Sequence, residues 1–511
     1  MRPALLVLLL AAAGAVAFVV GHDNGAGARD DPERRPPVVI VVFDEFPADT
    51  LIGPDGRIDA ARYPNFAALA RTSTWFRNGQ TVYDSTFKAV PAILDARMPR
   101  RGTAPDVRSH QPSVFHMMDR LGYDVIKVES GTAVCPPRIC PGARTRRPGV
   151  LKRLAGGGRP ARLHAWIGSI RDRPKPTFYF HHALLPHEPW IYLPSGHQSR
   201  PSGNDPIEGI NRAEGFHDPR LTDHNHLRHL LQVGYTDRQL GEIMRRMRRT
   251  GVFDRSIFIV VADHGIAFEV GVQERRQVSE TNFEQVAAVP FFVKAPGQRQ
   301  GRVNDGIVRN IDIVPTLAQL LGTKVWWKHD GTSVFSAAAR RRDRVAMTRR
   351  DFSRTISYSR AEFERRRQRL RLWRARKYGT GAQSELMFGD PWASAYRVGP
   401  HPELIGTRVG TVAAGTARAQ VANADLVADV DPSAQIVPTR VTGRLPGTPP
   451  GTMRDLAVAV NGRIRAVGRS FHLRGRRTEF FSLLVPESAL RAGRNDVQVL
   501  EVGPGGSLAR L

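Results

Sequence analysis

The chain has 511 residues, of which 41% are hydrophobic and 24% are charged. This hydrophobic content supports substantial cores and excludes global disorder, and the length is too great for one ordinary domain. The formal net charge of +27 at pH 7 indicates an anionic membrane surface or an acidic polymer as partner, unless it reflects a genome-wide arginine bias. We expect no nucleic-acid partner, because the chain has neither zinc-finger spacing nor an aromatic-plus-basic RNA motif.

The chain opens with an uncharged apolar stretch, ALLVLLLAAAGAVAFVV, at residues 4–20. As a helix it would span roughly 25 Å, just short of a comfortable bilayer crossing. One arginine precedes it, and the small residues AVA near its end offer a cleavage site. The stretch is therefore a signal peptide or a single N-terminal anchor, and a polar linker extends it to residue 37. Both alternatives predict export, as a secreted protein or as a membrane-anchored protein facing outside.

Residues 38–337 alternate strand-like and helix-like patterns. Apolar runs predict strands at residues 38–43, 124–129, 177–183, 256–262 and 289–295. Apolar residues at helical spacing predict helices at 63–73 and 235–251. Near-continuous apolar strands between amphipathic helices indicate an α/β domain, with a mostly parallel sheet covered by helices on both faces. Ligands of such sheets bind at the carboxyl ends of the strands.

Two further segments follow this domain. Residues 338–380 are rich in arginine and predict a helical linker, which is either a solvated helix or a contact for anionic lipid headgroups. Residues 381–511 change to alternating apolar and polar residues with turn signals, including an Asn461-Gly462 hairpin. They predict a small C-terminal all-β, sandwich-like domain with a binding or packing role.

Cys135 and Cys140 enclose the four residues PPRI. In an exported chain, which meets an oxidising environment, this spacing favours a disulfide over two free thiols or half of a metal site. Such a bridge would contribute roughly 2 kcal/mol by the chain-entropy estimate.

Three places in the large domain carry groups with catalytic potential. Asp44 and Glu45 end the first strand, Thr86 precedes a predicted helix, and Asp263 and His264 end the strand IFIVVA. Singly, each has an ordinary explanation as a surface turn or a helix cap. Together they supply ligands for a divalent ion and a hydroxyl that the ion activates, since coordination lowers the pKa of a hydroxyl and neutralises a phosphoryl or sulfuryl group.

The order of these motifs resembles the sulfatase-like family of the alkaline phosphatase superfamily. The first strand ends in an acid, and YPNFAALA, ILDA, LPHEPW, the Asp-His-Gly after the fourth run, VPFFVKAPG and DIVPTLAQLLG follow in the family's order. The resemblance covers roughly residues 38–335 and implies an alkaline-phosphatase-like fold. It also implies a role for each matching position. Thr86 is the nucleophile, His187 contacts substrate, and the metal ligands are Asp44 or Glu45 (or both), Asp263 and His264.

The chain also departs from ordinary sulfatases. These have Cys or Ser, modified to formylglycine, at the nucleophile position, with Pro and Arg following, whereas this chain has Thr86 followed by Phe-Lys-Ala. In nucleophile type it is more similar to the lipoteichoic-acid-synthase and phosphoethanolamine-transferase members. An imidazole ligand favours one Mn or Zn ion, with Mg or Ca as alternatives. Lys88 is a further candidate substrate contact, with a solvent-facing lysine as the alternative.

Other histidines offer weaker candidates. A second metal would require ligands from His224, His226, His229 and Asp237, but their spacing does not indicate a metal site, and a cluster of surface histidines is the alternative. His181 and His182 share a strand and point to opposite faces, so at most one faces the site.

The sequence therefore predicts an exported, metal-dependent enzyme that hydrolyses or transfers phosphate esters of cell-envelope molecules through Thr86. An anionic phosphate- or sulfate-ester substrate and a membrane surface are the expected partners. Two alternatives remain: a sulfate-ester hydrolase, and a catalytically silent protein that binds the envelope.

Overall fold

The computed structural model of the chain describes residues 35–142, 159–201, 218–272, 274–422, 424–473 and 475–511. The predicted leader at residues 4–20 and most of the linker after it lie outside the described residues. Among the helices of these ranges, none combines the length and apolar content that a bilayer crossing requires.

A seven-stranded sheet forms the centre of the large domain, in the strand order β3-β4-β1-β5-β6-β2-β7. The strands are β1 Val38–Asp44, β2 Thr74–Gln80, β3 Asp124–Val128, β4 Thr177–Pro186, β5 Ile257–Ala262, β6 Phe291–Lys294 and β7 Arg302–Arg309. All five predicted strands are present, and β2 and β7 are additional. Every residue of β1, β4, β5 and β6 is buried, so both faces of the sheet are covered, as continuous Val, Ile and Phe runs require.

The pairing of the central strands determines where their ends meet. Strand β1 runs parallel to β4 on one side and to β5 on the other, with Val38 opposite Phe178 and Ile257. Strand β6 runs antiparallel to β5 and β2, and the other pairs are parallel. The carboxyl ends of β1, β4 and β5 therefore lie at one edge of a mostly parallel sheet, which confirms the predicted fold class.

Helices surround the sheet and separate its strands along the chain. They are α1 Pro64–Ala70, α2 Thr86–Asp95, α3 Val114–Arg120, α4 Arg159–Ser169, α5 Pro219–Arg249, α6 Val252–Arg255, α7 Phe283–Ala287, α8 Ile313–Leu320 and α9 Ala337–Arg340. The helix predicted at 235–251 is the second half of α5, whose Leu240, Ile243, Met244 and Met247 are buried.

The arginine-rich segment forms a hairpin and a long helix that pack on the large domain. These elements are β8 Arg344–Thr348, β9 Thr355–Ser359 and α10 Arg360–Tyr378. Val345, Met347 and Phe363 join one apolar cluster with Phe283 and Val286 of the large domain. The segment therefore shares a core with the large domain.

Several arginines of α10 end in ion pairs on that domain. The buried Asp49 carboxylate accepts hydrogen bonds from Arg367 Nε at 2.7 Å and from Arg371 Nη1 at 2.8 Å, and Arg374 donates to the Asp49 carbonyl. Burial would raise the pKa of Asp49, but the charges of Arg367 and Arg371 outweigh it and lower that pKa. The inner face of α10 is therefore fixed by charge pairs, while its outer arginines face solvent.

The C-terminal region is built from short antiparallel strands. Two helices, α11 Gly381–Phe388 and α12 Ala424–Ala428, accompany the strands β10 Ala413–Ala414, β11 Gln420–Ala422, β12 Asp429–Val430, β13 Arg440–Leu445, β14 Asp455–Val460, β15 Arg463–Arg469, β16 Phe471–His472, β17 Glu479–Leu484, β18 Gly493–Arg494, β19 Val497–Val502 and β20 Leu508–Arg510. A five-stranded sheet, β10-β20-β19-β14-β15, packs against a four-stranded one, β11-β13-β17-β16, through a shared apolar cluster. Asn461 and Gly462, both at positive φ, make the predicted turn between β14 and β15. The sandwich-like antiparallel sheets of the predicted fold class are confirmed, whereas the two helices depart from the predicted all-β pattern.

We predict that Asp49→Asn lowers the free energy of unfolding by roughly 3 kcal/mol, because it leaves the buried Arg367 charge without its partner. Denaturant titration followed by circular dichroism measures the change. The matched control is Arg369→Ala, whose side chain is 64% exposed and 3.7 Å from Glu362, and which we expect to change stability by less than about 0.5 kcal/mol. Equal effects of the two variants would contradict the role assigned to the Asp49 cluster.

Candidate active site

The ends of β1 and β5 lie side by side at the carboxyl edge of the sheet. The Asp263 amide donates to the Phe43 carbonyl at 2.9 Å, and the Phe46 amide donates to the His264 carbonyl at 2.8 Å. Between these bonds Glu45 adopts a φ of 59°, a conformation that non-glycine residues rarely adopt. This backbone arrangement places Asp44 next to Asp263 and His264.

The Asp263 carboxylate has one oxygen tied to the backbone and one directed at other side chains. Its Oδ1 accepts the His264 amide at 2.6 Å and the Glu45 amide at 3.3 Å. Its Oδ2 is buried and, among the described residues, no group donates a hydrogen bond to it. This oxygen lies 3.5 Å from His264 Nε2.

Thr86 is the first residue of α2, directly after its N-cap residue Ser85. The Thr86 hydroxyl donates to Asp44 Oδ1 at 3.3 Å and lies 3.2 Å from His264 Nε2. The explanation of Thr86 as a helix cap is therefore wrong. Asp44, Thr86, Asp263 and His264, which are distant in sequence, meet at one point, as the motif order predicted.

His182 of β4 joins the same group, and sequence patterns did not select it over His181. Its Nε2 lies 3.7 Å from Asp44 Oδ2 and 3.9 Å from Asp263 Oδ2. His181 packs against Trp166, with ring centroids 5.0 Å apart. The two side chains point to opposite faces, as strand geometry requires.

Burial makes this group of acids hard to ionise without a nearby cation. Burial raises the pKa of Asp44 well above its usual range, and the charges of Asp263 and Glu45 raise it further. Burial likewise raises the pKa of Asp263 to about 7 and lowers the pKa of His264 to about 3. A neutral imidazole is a metal ligand, and two buried carboxylates with an oxygen that lacks a donor suit a cation.

The donor set therefore fits a divalent ion. Carboxylate oxygens of Asp44 and Asp263 and a ring nitrogen of His182 lie within 4.8 Å of one another. A mixed set of oxygen and nitrogen ligands suits Mn or Zn, whereas Ca typically has an all-oxygen shell.

Glu45 and Asp44, although adjacent, have different partners. Arg275 Nη2 donates to Glu45 Oε1 at 2.7 Å and Arg275 Nε donates to Glu45 Oε2 at 3.1 Å. Burial would raise the pKa of Glu45, but the charge of Arg275 outweighs it and holds that pKa well below its usual range. Because this two-point ion pair satisfies Glu45, Asp44 is better placed to hold a cation.

The predicted substrate contacts differ in position. His187 lies in the site, with its Nε2 3.3 Å from Glu45 Oε1. The Lys88 ammonium donates to the Arg100 and Thr103 carbonyls and to the Thr103 hydroxyl at 2.6–2.7 Å. These three acceptors use all its hydrogens, so the geometry gives Lys88 a role in fixing the 100–103 loop.

Sequence reasoning missed a set of arginines around the site. Arg275 and Arg276 contact Glu45, Arg159 donates to the His187 carbonyl at 2.8 Å, and Arg350 lies on the turn between β8 and β9. Arg350 donates to the Asp84 carbonyl at 2.9 Å and to Glu274 at 2.5 Å. In a chain with 75 lysines and arginines, no sequence signal distinguishes them.

The histidines considered for a second metal site have other contacts. His224 lies 2.8 Å from the Ser482 hydroxyl, His226 stacks on Phe268, and His229 donates to the Glu45 carbonyl. Asp237 accepts the amides of Asn65 and Phe66 at the start of α1. These four side chains do not converge on one point.

The predicted disulfide between Cys135 and Cys140 is present. The preceding loop approaches the site, because the Ser130 carbonyl lies 2.5 Å from His182 Nδ1. The Glu129 carboxylate accepts the amides of Val134 and Cys135 at 2.7 and 3.2 Å. The disulfide therefore lies in a loop that contacts the candidate site.

Comparison with known proteins supports the resemblance to sulfatases. A family described as Sulfatase matches residues 161–323, a region that contains His187, Asp263 and His264. Arylsulfatase K of Bos taurus is 27% identical over 104 residues, 20% of this chain and 19% of that protein. Endo-4-O-sulfatase of Bacteroides thetaiotaomicron is 25% identical over 159 residues, 30% of each chain.

Among solved structures, the phosphonate monoester hydrolase of Agrobacterium radiobacter is 16% identical, with a TM-score of 0.44. That match covers 67% of this chain and 94% of the other. The chain spans less than a third of the length of the two curated sulfatases named above. The sequence resemblance to the sulfatase-like family is confirmed over the matched region.

We predict that Mn²⁺ or Zn²⁺ raises the melting temperature of chelator-treated protein, because binding to the folded state alone adds about 2.7 kcal/mol at a hundredfold excess over Kd. Asp263→Asn should remove most of this rise, which differential scanning fluorimetry measures. The control is Asp237→Asn, at a buried acid outside the site, which should retain the rise. A full metal-induced rise in Asp263→Asn would show that the ion binds elsewhere.

Proposed function

We propose that this chain, whose residues 161–323 match the sulfatase family, is an exported metal-dependent enzyme that hydrolyses or transfers phosphate esters through Thr86. The observation that carries the proposal is the position of the Thr86 hydroxyl, 3.3 Å from Asp44 Oδ1 and 3.2 Å from His264 Nε2. Thr86 thus lies among buried acids and a buried imidazole, which is not the environment of a surface threonine.

A threonine hydroxyl is a weak nucleophile at neutral pH because almost none of it is alkoxide. A divalent ion held by Asp44, Asp263 and His264 would supply the positive charge that lowers the pKa of the hydroxyl and neutralises the phosphoryl oxygens. Asp44 Oδ1 is the hydrogen-bond acceptor for the Thr86 proton. The imidazole of His264 has its Nδ1 2.9 Å from the Gly265 carbonyl, so Nδ1 carries the proton and Nε2 offers a lone pair to the site.

The proposed reaction has two balanced steps. In the first, Thr86 Oγ forms a bond to phosphorus, its proton passes to Asp44, the ester P–O bond breaks, and the leaving alcohol oxygen takes a proton from solvent. In the second, water or an acceptor hydroxyl attacks the phosphothreonine and loses a proton to solvent, the bond between phosphorus and Thr86 Oγ breaks, and Asp44 returns its proton to Thr86. The choice between water and an alcohol decides between hydrolase and transferase.

The charges around Thr86 favour an anionic substrate. Arg276 has a side chain 19% exposed and lies 3.5 Å from Glu45, and Arg350 holds the Asp84 carbonyl two residues before Thr86. Their guanidinium groups are suited to the non-bridging oxygens of a phosphoryl group. The enclosed, charged site thus supports a phosphate- or sulfate-ester substrate over a neutral one.

The proposed setting is the cell envelope. The apolar stretch at residues 4–20 and the Cys135–Cys140 disulfide support export, secreted or anchored facing outward. A basic surface supports contact with an anionic membrane, where phospholipid or glycerol-phosphate polymers supply phosphate esters.

A sulfate-ester hydrolase is the second candidate, because both curated relatives named above are sulfatases. We place it second because Thr86 cannot be converted to the aldehyde that Cys and Ser yield at the sulfatase nucleophile position. A catalytically silent envelope-binding protein is the third candidate, and an absence of metal binding would favour it.

We predict that Thr86→Ala lowers the rate of p-nitrophenyl phosphate mono- or diester cleavage with added Mn²⁺ or Zn²⁺ by at least about 1,000-fold, because the variant lacks the attacking oxygen. Release of p-nitrophenol measures the rate. The matched control is Ser85→Ala, which removes the neighbouring hydroxyl and should retain activity. Equal turnover by Thr86→Ala and the wild type would dispose of the covalent mechanism.

We also predict that phosphate esters are cleaved faster than p-nitrophenyl sulfate under identical metal and pH conditions. The physical reason is that a threonine nucleophile gives a phosphothreonine that water or an alcohol can resolve. A clear preference for the sulfate ester would reverse the order of the first two candidates.

A further inference from the structure

His182 occupies a position in the sheet that directs its ring at the two acids. It lies on β4 opposite Val42 of β1, two residues before Asp44, and its side chain is fully buried. Neither the family match nor the motif order assigns this residue a role, and its neighbour His181 points to the other face. The side chain therefore reaches the candidate site from the neighbouring strand β4.

The hydrogen bond at the far side of the ring determines its tautomer. His182 Nδ1 lies 2.5 Å from the Ser130 backbone carbonyl, and because a carbonyl can only accept, Nδ1 carries the proton. In the neutral ring Nε2 then presents a lone pair toward Asp44 and Asp263. Metal-binding histidines are typically fixed in this way, with the second nitrogen donating to a carbonyl.

The distances from His182 Nε2 to the two carboxylate oxygens are those expected of atoms that bind the same cation. The separations of 3.7 Å to Asp44 Oδ2 and 3.9 Å to Asp263 Oδ2 exceed the roughly 3.2 Å limit of a hydrogen bond. Two ligand atoms that are each about 2.1 Å from one ion lie between about 3 and 4 Å apart. The three atoms fall within 4.8 Å of one another and all three residues are buried.

We infer that His182 Nε2 is a ligand of the metal ion on which the proposed function rests. With His264 it gives the site two imidazoles beside the carboxylates of Asp44 and Asp263. Two nitrogen ligands favour Zn²⁺ over Ca²⁺ and Mg²⁺, which prefer oxygen. Ser130 lies in the loop that precedes the Cys135–Cys140 disulfide. Its carbonyl accepts a hydrogen bond from the His182 ring and so fixes the orientation of that ring.

X-ray absorption of the Zn-loaded full-length protein tests the inference without an activity measurement. We expect scattering from two imidazoles in the wild type and from one in His182→Ala. A wild-type spectrum without imidazole, or the same imidazole count in the wild type and in His182→Ala, overturns the inference. The first of these results needs no variant and stands even where His182→Ala does not fold.

Calorimetric titration of chelator-treated protein gives a second readout. His182→Ala and His182→Gln should weaken Zn²⁺ binding by about 10- to 100-fold or more and leave Ca²⁺ binding within about threefold. His181→Ala, on the opposite face of the same strand, is the matched control and should bind Zn²⁺ like the wild type. Unchanged Zn²⁺ affinity in both His182 variants overturns the inference.

The two proposals fail separately. A protein that shows Thr86-dependent activity, with the same imidazole count at Zn²⁺ in the wild type and in His182→Ala, overturns the role of His182 alone. A wild-type protein that binds neither Zn²⁺ nor Mn²⁺ overturns the proposed function.

Discussion

The candidate site depends on two carboxylates that the sheet forces into one buried place. The parallel pairing of β1 with β5 brings Asp44 and Asp263 together, and burial raises the pKa of both. Like charges in a medium of low dielectric constant repel strongly, so this arrangement costs folding free energy unless a cation lies between the acids. The proposed roles of the surrounding imidazoles and of Thr86 depend on that cation.

The adjacent acid Glu45 shows how the fold separates two neighbouring charges. Its φ of 59° costs on the order of 1 kcal/mol, and the conformation lets its amide bind Asp263 while its carboxylate binds Arg275. The backbone thus assigns one acid to an internal arginine and leaves the other for a cation. Without Arg275, three carboxylates would share one buried space.

Whether the sequence predicted a strand depended on the position of that strand in the sheet and on the continuity of its apolar residues. The runs VVIVVF and IFIVVA predicted β1 and β5 because buried parallel strands are continuously apolar. Strand β7, RVNDGIVR, was missed because it lies at the sheet edge with exposed polar residues, and β2 because Arg77, Asn78 and Gly79 interrupt its apolar pattern. Asp44, Thr86, Asp263 and His264 were found because motif order marks them.

The arginines could not be found in this way, because their partners are set by tertiary packing alone. Arg350 belongs to a segment that its composition describes as a linker, yet it joins Asp84, two residues before Thr86, to Glu274, which precedes Arg275. One guanidinium therefore ties the loop before Thr86 to the loop that neutralises Glu45. Since α10 and the β8–β9 hairpin share an apolar cluster with the large domain, the arginine-rich segment is part of the structure that holds Thr86 in place.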